Sequence, residues 1–157
     1  GQHAAPRQVL DPKIANDVLH MMQTVTEPGG TATQAAILGY HVAGKTGTSR
    51  KASAGGYSRR YIGYFAGLVP VDKPRFSMVV AVNDPTKGSY YGGIVSGPVF
   101  RNVMEGALRL MDVSPDNLDA WLAAQAEAEA KRLKASGHAL PVEATATVPA
   151  PAARAVQ

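Results

Sequence analysis

The sequence predicts an α+β fold with three antiparallel strands flanked by helices, and three observations carry that expectation. Apolar spacing changes along the chain in the order helix, strand, strand, strand, helix. The links between the strands are too short for the crossover that parallel strands need. With 157 residues, 45% of them apolar, the chain is one ordinary domain at most and has enough apolar material for a core.

The elements follow in order. Asp11 and Pro12 open the first helix, because Asp is a good N-cap and Pro fits the first turn. Ile14, Val18, Met21, Met22 and Val25 recur at helical spacing and predict one buried face. "EPGG", residues 27 to 30, stops that helix. Residues 40 to 49 read as a strand, followed by a loop at Ala54, Gly55 and Gly56. "RYIGYFAGLVP", 60 to 70, is a second strand rich in aromatic and branched residues. "RFSMVVAVND", 75 to 84, is a third, apolar enough to predict burial on both faces. After the loop "PTKGSYYGG", Ser96 and Pro98 open a helix with Val99, Val103, Ala107 and Leu110 at helical spacing. "LDAWLAAQAEAEAKRLKA", 118 to 135, has high helix propensity and a Glu127–Lys131 pair, but its apolar face is mostly alanine, so a marginal helix is expected. Residues 136 to 157 lack periodicity and predict a disordered tail. The expected division is 1–117, 118–135 and 136–157.

Composition removes several chemistries. Without cysteine there is no disulfide, thiolate nucleophile or Cys-based metal site. The net charge of +4 weakly favours an anionic partner. No apolar run approaches the roughly 18 residues of a membrane span, and no signal peptide is visible. No cofactor, metal or nucleic acid is expected.

"GYHVAGKTGTSR", residues 39 to 50, supports two incompatible chemistries. Gly39, Gly44, Lys45 and Thr46 fit the phosphate-binding pattern G-x-x-x-x-G-K-[ST]. That pattern requires a helix after the lysine, so that N–H groups converge on phosphate. "GTSRKASAGG" follows instead, with no apolar period and too much glycine for a helix. "MVVAVND" imitates the second half of a nucleotide site, but no crossover helix separates the two motifs. The other chemistry is K-T-G, at Lys45, Thr46 and Gly47, which accompanies S-x-x-K and S-D-N in serine enzymes that react with penicillins. On a pleated strand, Thr46 and Thr48 point to one side and Lys45 and Gly47 to the other. The hydroxyls suit a carboxylate, the lysine adds a fixed positive charge, and Gly47 leaves room for close packing.

"VAGKTGTSRK", "YIGYFAGLVPVDKPRFSMVVAVNDP" and "YYGGIVSGPVFRNVMEGALRLM" together resemble the C-terminal part of the transpeptidase domain of class B penicillin-binding proteins, nearest to the septal, cell-division type of Gram-negative bacteria. The likeness runs from about Leu10 to Asn117. It implies part of the penicillin-binding/serine β-lactamase-like fold, with the N-terminal half of that domain absent. It implies a peptidoglycan D,D-transpeptidase whose partners are stem peptides, β-lactams, the rest of the domain in cis and divisome membrane proteins, at the periplasmic face of the inner membrane. Lys45 resembles the lysine that supports the serines of the other two motifs. Thr46 and Thr48 resemble the carboxylate binders, with Gly47 between them and the Thr48 N–H in an oxyanion hole. Arg50 resembles the cleft rim, and Tyr90 and Tyr91 an aromatic wall beside the ligand. His41 is expected to be structural, because nothing in the sequence orients it. The departure from the family pattern is that neither S-x-x-K nor S-x-N occurs in the chain. The nucleophile is therefore expected outside it, and the chain alone is expected to be inactive. A serine β-lactamase fragment and a non-catalytic interaction module are the other classes compatible with these residues.

Overall fold

The structure is a computed structural model, and it describes residues 7–135. α1 spans Pro12–Gln23, followed by a short 3-10 turn at Thr33–Ala35. β1 (Ala43–Ser53), β2 (Gly56–Val69) and β3 (Phe76–Asn83) form one antiparallel sheet in the order β1-β2-β3. α2 (Gly92–Val95), α3 (Gly97–Leu110) and α4 (Leu118–Ala135) complete the chain. The predicted tail at 136–157 lies outside the described residues. The chain divides into a compact unit ending at Leu122 and a second beginning at Ala123. No helix among the described residues is long and apolar enough to cross a membrane.

Local chemistry fixes the boundaries. Asp11 caps α1 by accepting from the Lys13 N–H at 2.7 Å, with Pro12 in the first turn. Thr24 closes the helix, its hydroxyl donating to the Met21 carbonyl at 2.8 Å. β1 and β2 meet in a tight turn at Ala54 and Gly55, so the expected loop is a hairpin tip and both strands are longer than their sequence patterns. Gly55 and Gly56 have φ of +94° and +137°, which glycine adopts without strain. β1 begins at Ala43 rather than at 40, because Tyr40 makes only an isolated bridge to Ile37.

The core lies on one face of the sheet. Val42, Phe65 and Val69 pack with Ala32, Ala35 and Ile37, and α3 closes over them with Phe100, Met104 and Leu108. Phe65 and Phe100 meet edge to face at 4.9 Å between ring centroids. The expected α3 face is thereby corrected. Val99, Val103 and Leu110 are exposed, while Phe100, Met104 and Leu108 turn inward. Two apolar stripes share this helix, and the one carrying the aromatic ring meets Phe65.

Two other expectations fail for a common reason. β3 alternates: Phe76, Met78, Val80 and Val82 are half-buried, while Ser77, Val79, Ala81 and Asn83 are exposed. α1 buries none of its residues, and Ile14, Val18 and Met21 stand exposed. The sheet face that carries Val79 is covered only in part: Ala43 is buried near half-buried Met22 at the end of α1, while Val79 and the rest of the α1 stripe stay exposed. An apolar pattern states what a face prefers, and burial needs a second surface to meet it.

Candidate active site

β1 is an edge strand of the described sheet, and Lys45, Thr46, Gly47 and Thr48 occupy its middle. The pairings Thr46 with Phe65 and Thr48 with Gly63 place both threonines on the core face. Lys45 and Gly47 project to the opposite face, as pleating requires. Because β1 has a free edge, groups from both faces can reach around it toward one ligand.

Both hydroxyls are held in place. Thr46 Oγ1 lies 3.1 Å from Thr31 Oγ1, in the segment between α1 and the 3-10 turn. Thr48 Oγ1 accepts from the Gly92 N–H at 3.2 Å, at the start of α2. A hydroxyl that accepts one hydrogen bond keeps its own proton to donate, so Thr48 retains a donor for an incoming anion. The Lys45 ammonium is exposed and donates to the Thr46 carbonyl at 2.9 Å, leaving two of its three protons for other partners.

The close packing expected of Gly47 is instead a property of Gly92 and Gly63. A Cβ on Gly92 would overlap the carbonyl oxygens of Tyr64 and Gly47, and one on Gly63 would overlap Val95. At Gly47 a Cβ would sit 3.6 Å from Tyr64 Cβ, an ordinary contact. The bare backbone of α2 therefore rests directly on the sheet beside Thr48.

Tyr90 and Tyr91 come to the same end of the sheet. Tyr90 stacks on Tyr61 of β2, with centroids 4.1 Å apart and planes within 10° of parallel. Tyr91 leans against Tyr90 at 4.7 Å and is the more exposed of the two. The Tyr90 phenol is raised above its ordinary pKa, chiefly by its hydrogen bond with Tyr91. Arg50, on the same face as Thr48, lies 5.7 Å from the centre of the Tyr61 ring and donates to its hydroxyl at 3.3 Å. That bond is the main reason its guanidinium is held above its usual pKa. Thr46, Thr48, Arg50, Tyr90 and Tyr91 thus form one continuous surface, with Lys45 and Gly47 across the strand.

Sequence reasoning missed Thr31, Tyr61 and Gly92. Thr31 follows a turn and carries no pattern. Tyr61 reads as an ordinary strand residue, and only pairing with Arg50 brings it to the site. The Gly92–Gly93 pair marks a close backbone approach, and was the signal available for α2. His41 is expected to be structural, and its main chain is tied down: Asp116 Oδ1 accepts from the His41 backbone N–H at 2.7 Å, a contact that no nearby residue announces.

A K-T-G strand at the sheet edge, a threonine pair and an aromatic flank thus come together on one part of the sheet. The chain belongs to the penicillin binding protein transpeptidase domain family, whose model matches residues 1–105. It is 49% identical over 112 residues to Peptidoglycan D,D-transpeptidase FtsI of Escherichia coli, covering 71% of this chain and 19% of that one. It is 44% identical over 113 residues to Probable peptidoglycan D,D-transpeptidase PbpC of Pseudomonas aeruginosa, covering 71% and 20%. The chain therefore spans about a fifth of the length of these curated relatives. Among solved structures it is similar to the apo transpeptidase domain of Burkholderia pseudomallei penicillin-binding protein 3, with a TM-score of 0.64 and 40% identity over 70% of this chain and 34% of that one.

Proposed function

We propose that this chain supplies the K-T-G wall of the serine acyl-transfer site of a peptidoglycan D,D-transpeptidase acting in cell division. The observation that supports this best is the arrangement on β1. Thr46 and Thr48 stand side by side with their oxygens pinned by Thr31 and by the Gly92 N–H, and Lys45 projects an exposed ammonium from the next position. These groups suit a substrate carboxylate at the strand edge.

The reaction follows from that role. A serine from elsewhere in the complete protein attacks the penultimate D-alanine carbonyl of a stem peptide. Its Oγ–C bond forms, the peptide C–N bond breaks, and the proton leaves with the amine of the terminal D-alanine. An amine from a neighbouring strand then attacks the ester, and the serine regains its proton. Lys45 supports the serines of the other two motifs, and the Thr48 N–H polarises the attacked carbonyl. Gly47 leaves the strand edge clear, Arg50 rims the cleft, and Tyr90 and Tyr91 flank the ligand. β-Lactams acylate the same serine. The rest of the domain is joined in cis, the site faces the periplasm at the inner membrane, and divisome membrane proteins are its partners.

Acylation of the complete protein by fluorescent penicillin tests this assignment. Lys45→Ala should slow acylation about 100-fold or more, the loss expected when about 3 kcal/mol of charge stabilisation is removed. Thr46→Val and Thr48→Val should chiefly weaken carboxylate recognition. An acylation rate within about threefold of the parent in Lys45→Ala would reject the motif's role. The 157-residue chain by itself should not label, and stoichiometric labelling of one of its own serines would place the nucleophile inside it.

A further inference from the structure

At the other end of β1, three side chains from distant parts of the sequence converge. His41 precedes the strand, Asp72 lies in the turn between β2 and β3, and Asp116 precedes α4. One ligand atom from each lies within 4.8 Å of the others. Two hydrogen bonds bring them together: the Val71 N–H donates to the His41 carbonyl at 3.1 Å, and the His41 backbone N–H donates to the Asp116 carboxylate at Oδ1, 2.7 Å. The convergence therefore rests on main-chain groups of His41 and Val71 together with the Asp116 carboxylate.

A second observation points to a missing partner. Asp116 Oδ2 is buried and receives no hydrogen bond from the described residues, and its side chain is only 11% exposed. The nearest cationic candidate, His41 Nδ1, stands 3.6 Å away, beyond hydrogen-bond reach. A buried carboxylate oxygen without a donor is costly, and such an atom calls for a partner.

We propose that His41, Asp72 and Asp116 bind a divalent cation of the class that accepts both imidazole nitrogen and carboxylate oxygen, with Zn²⁺ the best match. His41 Nδ1, Asp116 Oδ2 and an Asp72 carboxylate oxygen are the three protein donors, and water completes the set. Asp72 is exposed, so its carboxylate can turn toward the ion without disturbing the core. The ion would tie the lead-in to β1, the β2–β3 turn and the lead-in to α4. Its role is structural, because binding to the folded chain alone stabilises that chain by mass action. No local ligand spacing announces the site in the sequence, because the three residues come from three separate segments.

Equilibrium dialysis of the chelator-stripped 157-residue chain against Zn²⁺ tests this, with bound metal measured by atomic emission. One zinc per chain is expected to be retained. Asp72→Asn, Asp116→Asn and His41→Gln should each weaken retention about tenfold or more, since even outer-shell partners of a metal are worth 10–100-fold. Asp72→Asn changes an exposed group, and Asp116→Asn keeps an oxygen to accept from the His41 N–H, so both should retain the parent circular dichroism. Two results would overturn the proposal. One is no retained zinc, which leaves a simple His41–Asp116 contact. The other is retention within about threefold in all three variants, which moves the ion to the chain's other histidines.

Discussion

The two faces of the sheet are built from similar strand residues yet have opposite fates. On one, Phe65 is buried under Phe100, and the N-terminus of α2 lies against the backbone. On the other, Val79 is 69% exposed and Lys45 extends outward. The same contrast separates the two amphipathic helices: α3 buries Phe100, Met104 and Leu108, whereas α1 buries nothing. Periodicity specifies a preference, and only a partner surface turns it into stability. Substitutions should therefore have large effects on the covered face and small ones on the open face.

The largest expected effect is at Phe100. Phe100→Ala removes a fully buried ring from the centre of the core and should destabilise the chain by about 3–5 kcal/mol, measured by denaturant unfolding. A loss below about 1 kcal/mol would mean that the covered face is not the core. Next is Gly92→Ala, which forces a methyl group into the Tyr64 and Gly47 carbonyls and should destabilise by about 1–3 kcal/mol. It should also shift the Thr48 amide resonance, because the Gly92 N–H must leave the Thr48 hydroxyl. Val79→Ser on the open face should stay within about 0.5 kcal/mol of the parent. It should also reduce self-association in sedimentation, since an exposed apolar sheet face favours association.

The smallest expected effect is a pH dependence. By strand alternation Arg60 belongs to the open face, and it pairs with Asp84, whose carboxyl is held below the usual range chiefly by the Arg60 hydrogen bond. A carboxylate with a depressed folded-state pKa contributes stability that is present above its unfolded pKa. That stability is lost as pH falls through the folded value. Arg60→Gln should remove a small part of the loss on acidification, and melting curves between neutral pH and acid would show it. An unchanged slope would mean that solvent already screens the pair.

Local chemistry was legible in the sequence. The Asp11–Pro12 start, the three strands in order and the helical character of the segment from Leu118 all follow from caps, turns and propensity. The K-T-G residues lie on a strand, and the failure of the phosphate-loop pattern is explained by the antiparallel hairpin that follows it. What was not legible depended on long-range contacts. No short-range rule chooses Phe100 over Val99 as the inward residue of α3. Nothing near Thr48 announces that Gly92 will donate to it, and nothing near His41 announces Asp116. The apolar patterns of α1 and β3 overstate burial, because a pattern alone does not supply the surface that covers it.

The hydrogen bond between Thr48 and Gly92 has a consequence for linkage. It joins the motif strand to the loop that carries Tyr90 and Tyr91, so the two cannot be tuned independently. Anything that fixes the Thr48 rotamer also favours the seated position of the loop, and anything that seats the loop prepares Thr48 by the same free energy, because coupling is reciprocal. A substitution in 85–91 that never touches a ligand should therefore change the affinity of whatever engages Thr48.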